Sequence, residues 1–122
     1  MGYHFTVWDG EEPTSVEQAH AIFERMYRAA HPRVELTPAI RAFVGRLARE
    51  WPDTPEDEFA GSPWKYLPLE KEAAGALFDT ALTFGSASTA VPRIAALAEE
   101  MGLVWFDPQH PQIRLPIRAP WE

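Results

Sequence analysis

Residues 86–108 constrain this chain more than any other stretch. An amphipathic run with Val91, Ile94, Ala95, Leu97, Ala98 and Met101 on its inward side ends at Gly102. Leu103-Val104-Trp105-Phe106 follows at once, before Asp107-Pro108. The glycine supplies the left-handed residue that terminates a helix, and the four apolar residues read as a buried strand. Asp-Pro stops the ladder, because proline has no N–H to donate. A helix that turns straight back into a core strand demands a sheet with helices packed on it. Ser86 or Ser88 is expected to open this helix, with Pro92 in its first turn, where a missing N–H is tolerated.

The remaining segments extend the same scheme. Residues 3–8 alternate, with Tyr3, Phe5 and Val7 against His4, Thr6 and Trp8, which predicts a half-buried strand closed by Asp9-Gly10. Thr14 or Ser15 caps a helix, Glu17 or Gln18 completing the box. Ala19, Ile22, Phe23, Met26, Tyr27 and Ala30 share one face before His31-Pro32. Thr37-Pro38 opens a second helix, with Ile40, Phe43, Val44, Leu47, Ala48 and Trp51 turned inward. Residues 52–64 read as a loop. A short strand is expected over 65–70, interrupted by Pro68, and a better one over 76–84. Residues 112–117 alternate as an edge strand, Ile113, Leu115 and Ile117 against Arg114, Pro116 and Arg118.

This order predicts a single α+β domain over residues 1–122. Its form is a two-layer sandwich, about three helices on one face of a mostly antiparallel four- to five-stranded sheet, a variant of the ferredoxin-like arrangement. A chain of 122 residues is near the usual domain size and long enough for one core.

Composition narrows the chemistry. With no cysteine there is no disulfide framework, thiol nucleophile or thiolate zinc site. The first nine residues lack the pattern of a signal peptide, and no apolar run approaches the roughly 20 residues that cross a bilayer, so a cytoplasmic, membrane-free protein is expected. The formal charge of −7 repels phosphate backbones, which argues against nucleic acid and for a basic partner.

No constellation assigns a catalytic residue. His4, His20, His31 and His110 are scattered, without zinc-ligand spacing, so no metal is expected. The serines serve caps and turns, and no glycine-rich run precedes a helix, so no cofactor is expected. Asp53, Glu56, Asp57 and Glu58 lack the ligand order of a calcium loop. His4 would meet Asp107 if the first strand lay beside the 103–106 strand, as base and orienter.

Two surfaces remain. Glu50 through Glu58 holds five carboxylates and no basic residue, with Trp51, Phe59 and Trp64 interleaved or adjacent. Aromatic anchors among steering charges are typical of a protein-binding patch, which makes Trp51, Asp53, Glu56, Asp57, Glu58 and Trp64 the expected partner contacts. The competing reading has Trp51 and Trp64 pinning a solvated loop to the core. The second surface is the sheet face that a two-layer domain leaves open. His4, Thr6 and Trp8, joined by Trp105, Arg114 and Asp79 or Thr83, would line a small-molecule or enzymatic pocket with His4 as acid or base, or form a homodimer contact.

Three pieces, residues 3–8 (YHFTVW), Ser62-Pro63-Trp64 and residues 102–109 (GLVWFDPQ), resemble small bacterial cytosolic proteins. The chain as a whole resembles the immunity proteins encoded beside polymorphic or contact-dependent toxins. The resemblance implies a small acidic inhibitor, without enzymatic activity, that caps a toxin domain. It carries no site residue over.

Overall fold

β1 (Gly2–Trp8) is the central strand of the five-stranded sheet found in the computed structural model, which describes residues 2–30, 34–51, 64, 69–109 and 112–116. It is followed by α1 (Val16–Ala29), α2 (Pro38–Glu50), a 3-10 turn (Leu69–Glu72), β2 (Ala73–Ala74), β3 (Leu77–Thr83), α3 (Phe84–Glu100), β4 (Val104–Asp107) and β5 (Gln112–Arg114). The sheet order is β2-β3-β1-β4-β5, and every neighbouring pair is antiparallel. The fold is α+β as expected. Its first four strands stand in the ferredoxin-like order, to which β5 adds an edge.

The layering differs from the expected one. Strand alternation sends Phe5, Val7, Phe78, Leu82 and Trp105 to one face, where they pack with Ile40, Phe43 and Leu47 of α2 and Ile94, Ala95 and Ala98 of α3. Trp8, Leu77, Val104 and Phe106 point the other way and pack with Ala19 and Ile22 of α1. The helices therefore divide between both faces instead of sharing one. The face carrying His4, Thr6 and Trp8 is not open. Its polar groups are buried because their hydrogen bonds are met within the chain: Thr6 Oγ1 donates to the Phe78 carbonyl at 3.3 Å, and Trp8 Nε1 donates to the Glu11 carbonyl at 2.9 Å. β4 carries the sequence signal for this burial. All four of its residues are buried, as a strand covered on both sides requires.

Helix ends follow local chemistry. The Ser15 hydroxyl accepts the Gln18 N–H at 3.0 Å, and the Gln18 side chain accepts from Thr14 in return, a box shifted by one residue. The Thr37 hydroxyl accepts the Ile40 N–H ahead of Pro38. Gly102, at φ +80°, closes α3: its N–H reaches Glu99 O at 3.3 Å and the Leu103 N–H reaches Ala98 O at 2.9 Å, the paired bonds of a Schellman end. α3 begins at Phe84 with Thr83 as N-cap, earlier than Ser86 or Ser88, so Pro92 lies inside the helix and not in its first turn. Residues 69–72 form the 3-10 turn in place of part of the expected 65–70 strand; residues 65–68 lie outside the described residues. β5 stops at Arg114, short of the expected 112–117.

Gly75 (φ +59°) and Ala76 make the two-residue turn between β2 and β3. Gly75 N–H donates to Val34 O at 3.0 Å, and its carbonyl accepts the Thr37 N–H at 2.9 Å. This stitches residues 34–37, which lead into α2, onto the hairpin. Among the described residues no helix is long and apolar enough to cross a membrane.

Candidate functional site

The two tryptophans that bracket the acidic segment meet. Trp51 ends α2, its N–H bonded to Leu47 O at 2.8 Å. Trp64 forms an isolated antiparallel bridge with Leu82 of β3 and is fully buried. Its Nε1 donates to the Trp51 carbonyl at 3.1 Å, and the two rings stand edge to face with centroids 5.7 Å apart. The chain is thus clamped at 51 and 64, on either side of a segment that holds Asp53, Glu56, Asp57 and Glu58. Those four carboxylates lie outside the described residues. A ring with no exposed surface contacts no partner directly, so Trp64 serves as the anchor of its own chain. Trp51 is only partly buried.

Glu50, the first carboxylate of the acidic run, is taken up within the fold. Arg93 of α3 grips it with Nε at 3.0 Å and a terminal nitrogen at 3.1 Å, and Arg46 approaches it to 3.1 Å. The Arg93 hydrogen bonds, with Arg46 behind them, hold its carboxyl below the ordinary glutamate range. Other arginines also face glutamates of the same chain: Arg25 with Glu11, Arg28 with Glu24, Arg41 with Glu35 and Arg114 with Glu99.

His4 takes a different carboxylate from the one expected. β1 does lie beside β4, but Thr6 stands opposite Phe106, which puts Asp107 on the other face from His4. The His4 ring bonds Asp79 of β3, its diagonal neighbour across the pair, and sits edge-on to Phe23 of α1 with centroids 6.4 Å apart. The hydrogen bond to Asp79 raises the His4 pKa against the opposing effect of burial, with the charges of Asp79 and Asp107 adding to the rise. Asp107 is fully buried and accepts from the Tyr3 hydroxyl and, at 2.9 Å, from the Gln109 N–H. Burial, and then the Asp107 carboxylate, push the Tyr3 phenol well above the usual tyrosine range. No signal within the sequence separates these two pairs, because the choice rests on the register of β1 with both β3 and β4.

The pocket expected from His4, Trp8, Trp105 and Arg114 does not form. Trp8 is buried under α1; Trp105 lies on the opposite face, stacked on Phe5 with centroids 6.4 Å apart; Arg114 turns to Glu99 of α3. Concavity is found instead between the C-terminal half of α1 and the β2–β3 hairpin. One cleft of about 350 Å³ there is bordered by Tyr27, Lys71, Glu72, Leu77 and Asp79, and a second of about 300 Å³ adjoins it. Among the described residues no group of three histidine or acidic side chains is placed to hold a metal ion.

The chain is therefore defined by its fold as an α+β domain of ferredoxin-like strand order with a helix on the second sheet face. Compared with known protein families, with curated protein sequences and with solved structures, it matches none.

Proposed function

We propose that this protein is a non-enzymatic binding module, an immunity-type inhibitor that neutralises a cognate bacterial toxin domain of basic surface. The observation that carries the reading is the clamp at Trp51 and Trp64. A segment with four carboxylates and no basic residue leaves and rejoins the domain at two indoles held together by a hydrogen bond and an edge-to-face contact. Closing the base of a loop lowers the entropy lost when that loop binds, which favours a recognition role over a merely solvated one. The charge balance supports the same reading. Arg25, Arg28, Arg41, Arg46, Arg93 and Arg114 face the protein's own glutamates, and the chain as a whole carries a charge of −7, which attracts and orients a basic surface. In this role Asp53, Glu56, Asp57 and Glu58 complement the partner's cations, the partly buried Trp51 packs on it, and Trp64 holds the loop in place.

The test starts from capture by the immobilised protein out of an extract of its native cells, at low salt and then at raised salt. The reading expects a stoichiometric basic protein that leaves as salt rises. Binding of that purified protein is then compared with the variant Asp53→Asn, Glu56→Gln, Asp57→Asn, Glu58→Gln. Association should slow at least tenfold and lose most of its salt dependence. An unchanged rate and salt slope would remove the acidic segment from the interface.

A further inference from the structure

Glu50 is an unfavourable residue with which to end a helix. The C-terminus of α2 carries the negative end of the helix dipole, which a carboxylate in the last turn opposes. A partner on another element accounts for it. Arg93 of α3 presents Nε to one carboxylate oxygen at 3.0 Å and a terminal nitrogen to the other at 3.1 Å, the forked pairing that arginine makes with a planar carboxylate. Arg46, one turn back on α2, closes on the same group at 3.1 Å, and the Glu50 side chain keeps only 25% of its surface exposed. A forked pair inside such a network holds its geometry better than a single exposed ion pair does. What the network borders lies one residue further on. The Trp51 N–H bonds Leu47 O, its carbonyl receives the Trp64 Nε1–H, and Trp64 bridges to Leu82 of β3. Over two successive residues the end of α2 is tied to α3 through a carboxylate and to the sheet through an indole.

We infer that Arg93 is a positioning residue for the acidic recognition segment: by gripping Glu50 from α3 it fixes the last turn of α2, and with it the Trp51 carbonyl on which the Trp64 clamp closes. The inference rests on the reading that the segment between the two tryptophans recognises a basic partner. It adds that the foot of this segment is set by a third element, and that the fork of Arg93 sets it rather than the charge. A helix end without such a tie frays, because its last four carbonyls lack intrahelical donors. Moved by about 1 Å, the Trp51 carbonyl leaves hydrogen-bonding range of the indole nitrogen, which stands 3.1 Å away. Lysine at this position supplies the same charge through a single ammonium and cannot hold both oxygens in one plane.

The test compares the native chain with Arg93→Lys, which keeps the charge and loses the fork, and with Glu50→Gln, which loses the charge. Hydrogen exchange of the Trp64 Nε1–H reads the clamp. That of the Trp8 Nε1–H, bonded to the Glu11 carbonyl on the other sheet face, reads the rest of the fold. Exchange at Trp64 should quicken roughly threefold or more in both variants and stay unchanged at Trp8. Arg93→Lys should add nothing further in the Glu50→Gln chain. A hexa-arginine peptide is then titrated into the 15N-labelled chain and followed by amide shifts. Its affinity should fall roughly threefold in Arg93→Lys, with the salt dependence kept because the net charge is the same. Unchanged Trp64 exchange in Arg93→Lys reduces Arg93 to a charge and overturns the inference, while the role of the acidic segment stands. An equal rise at Trp8 marks a general loss of stability and also overturns it. Faster Trp64 exchange with undiminished peptide affinity overturns it too, since the clamp then does not position what binds. Peptide shifts in the native chain that avoid the neighbourhood of Trp51 and Trp64 refute the acidic segment as a recognition surface, and the inference falls with that reading.

Discussion

Replacing Trp64 with phenylalanine removes the loop clamp while keeping an aromatic ring in the core. Three losses add. A vacated volume of ~40 Å³ in a site that relaxes only partly costs about 1 kcal/mol at the usual cavity coefficient. The Trp51 carbonyl loses the donor that stood 3.1 Å away, worth about 1 kcal/mol. The edge-to-face contact with Trp51 is weakened by roughly 0.5 kcal/mol. The sum is about 2–3 kcal/mol, to be read as a lower urea midpoint at constant slope, or as a fall of roughly 10 °C in Tm for a domain of this size. A double-mutant cycle with Trp51→Phe separates the ring contact from the hydrogen bond, since the acceptor belongs to the backbone and survives that substitution; a coupling of no more than roughly 0.5 kcal/mol is expected. If Trp64→Phe lowered stability by less than about 0.5 kcal/mol, Trp64 would not be the anchor described, and the closed-loop argument would lose its base.

Other outcomes follow from the same geometry. His4 binds its proton more tightly in the folded state, so the stability it adds is complete below the ordinary histidine value near 6.5 and is lost as pH rises through the raised one. The stability gap between the native protein and His4→Gln should therefore shrink from pH 5.5 to 8.5 in urea titrations, and a gap independent of pH would contradict the His4–Asp79 pair. Gly102→Ala should cost about 1 kcal/mol through its φ of +80° alone, because no atom lies near the added methyl, and Gly102→Asn should recover part of that loss in thermal unfolding. Ser15→Ala should lower stability by about 1 kcal/mol and speed hydrogen exchange in the first turn of α1 ahead of its later turns.

The features legible in the sequence are those set by local rules. Thr37-Pro38, Ser15 with Gln18, and Gly102 before an apolar run each fix a boundary through chemistry within a few residues. What parity and long-range pairing decide was less accessible. Alternation over 3–8 shows that two faces exist, but not that α1 crosses to cover the more polar one. The four consecutive buried residues of β4 held that information, because a strand flanked by solvent on one side does not carry Val104, Trp105 and Phe106 in succession. Choosing Asp79 over Asp107 as the acid of His4 needs the register of β1 with both neighbouring strands, which no local rule supplies. The start of α3 is not legible from its serines, because Ser86 and Ser88 both offer cap hydroxyls yet lie inside the helix behind Thr83. Trp51 and Trp64 were legible as a pair, but burial decides which of them stays partly exposed.

The division of the helices between two sheet faces gives the domain two hydrophobic reservoirs that meet only through the strands. Trp8 lies in the one beneath α1, and Trp105 in the one beneath α2 and α3. The reservoir beneath α1 thus holds one indole, whereas the other holds Trp64 as well as Trp105, with Trp51 packed against it. In a chain that keeps Trp8 alone and another that keeps Trp105 alone, with phenylalanine at the other tryptophans, detachment of α1 and loss of the main core become separately visible events. Whether their transitions coincide then measures directly how strongly cooperativity passes through a sheet one strand thick.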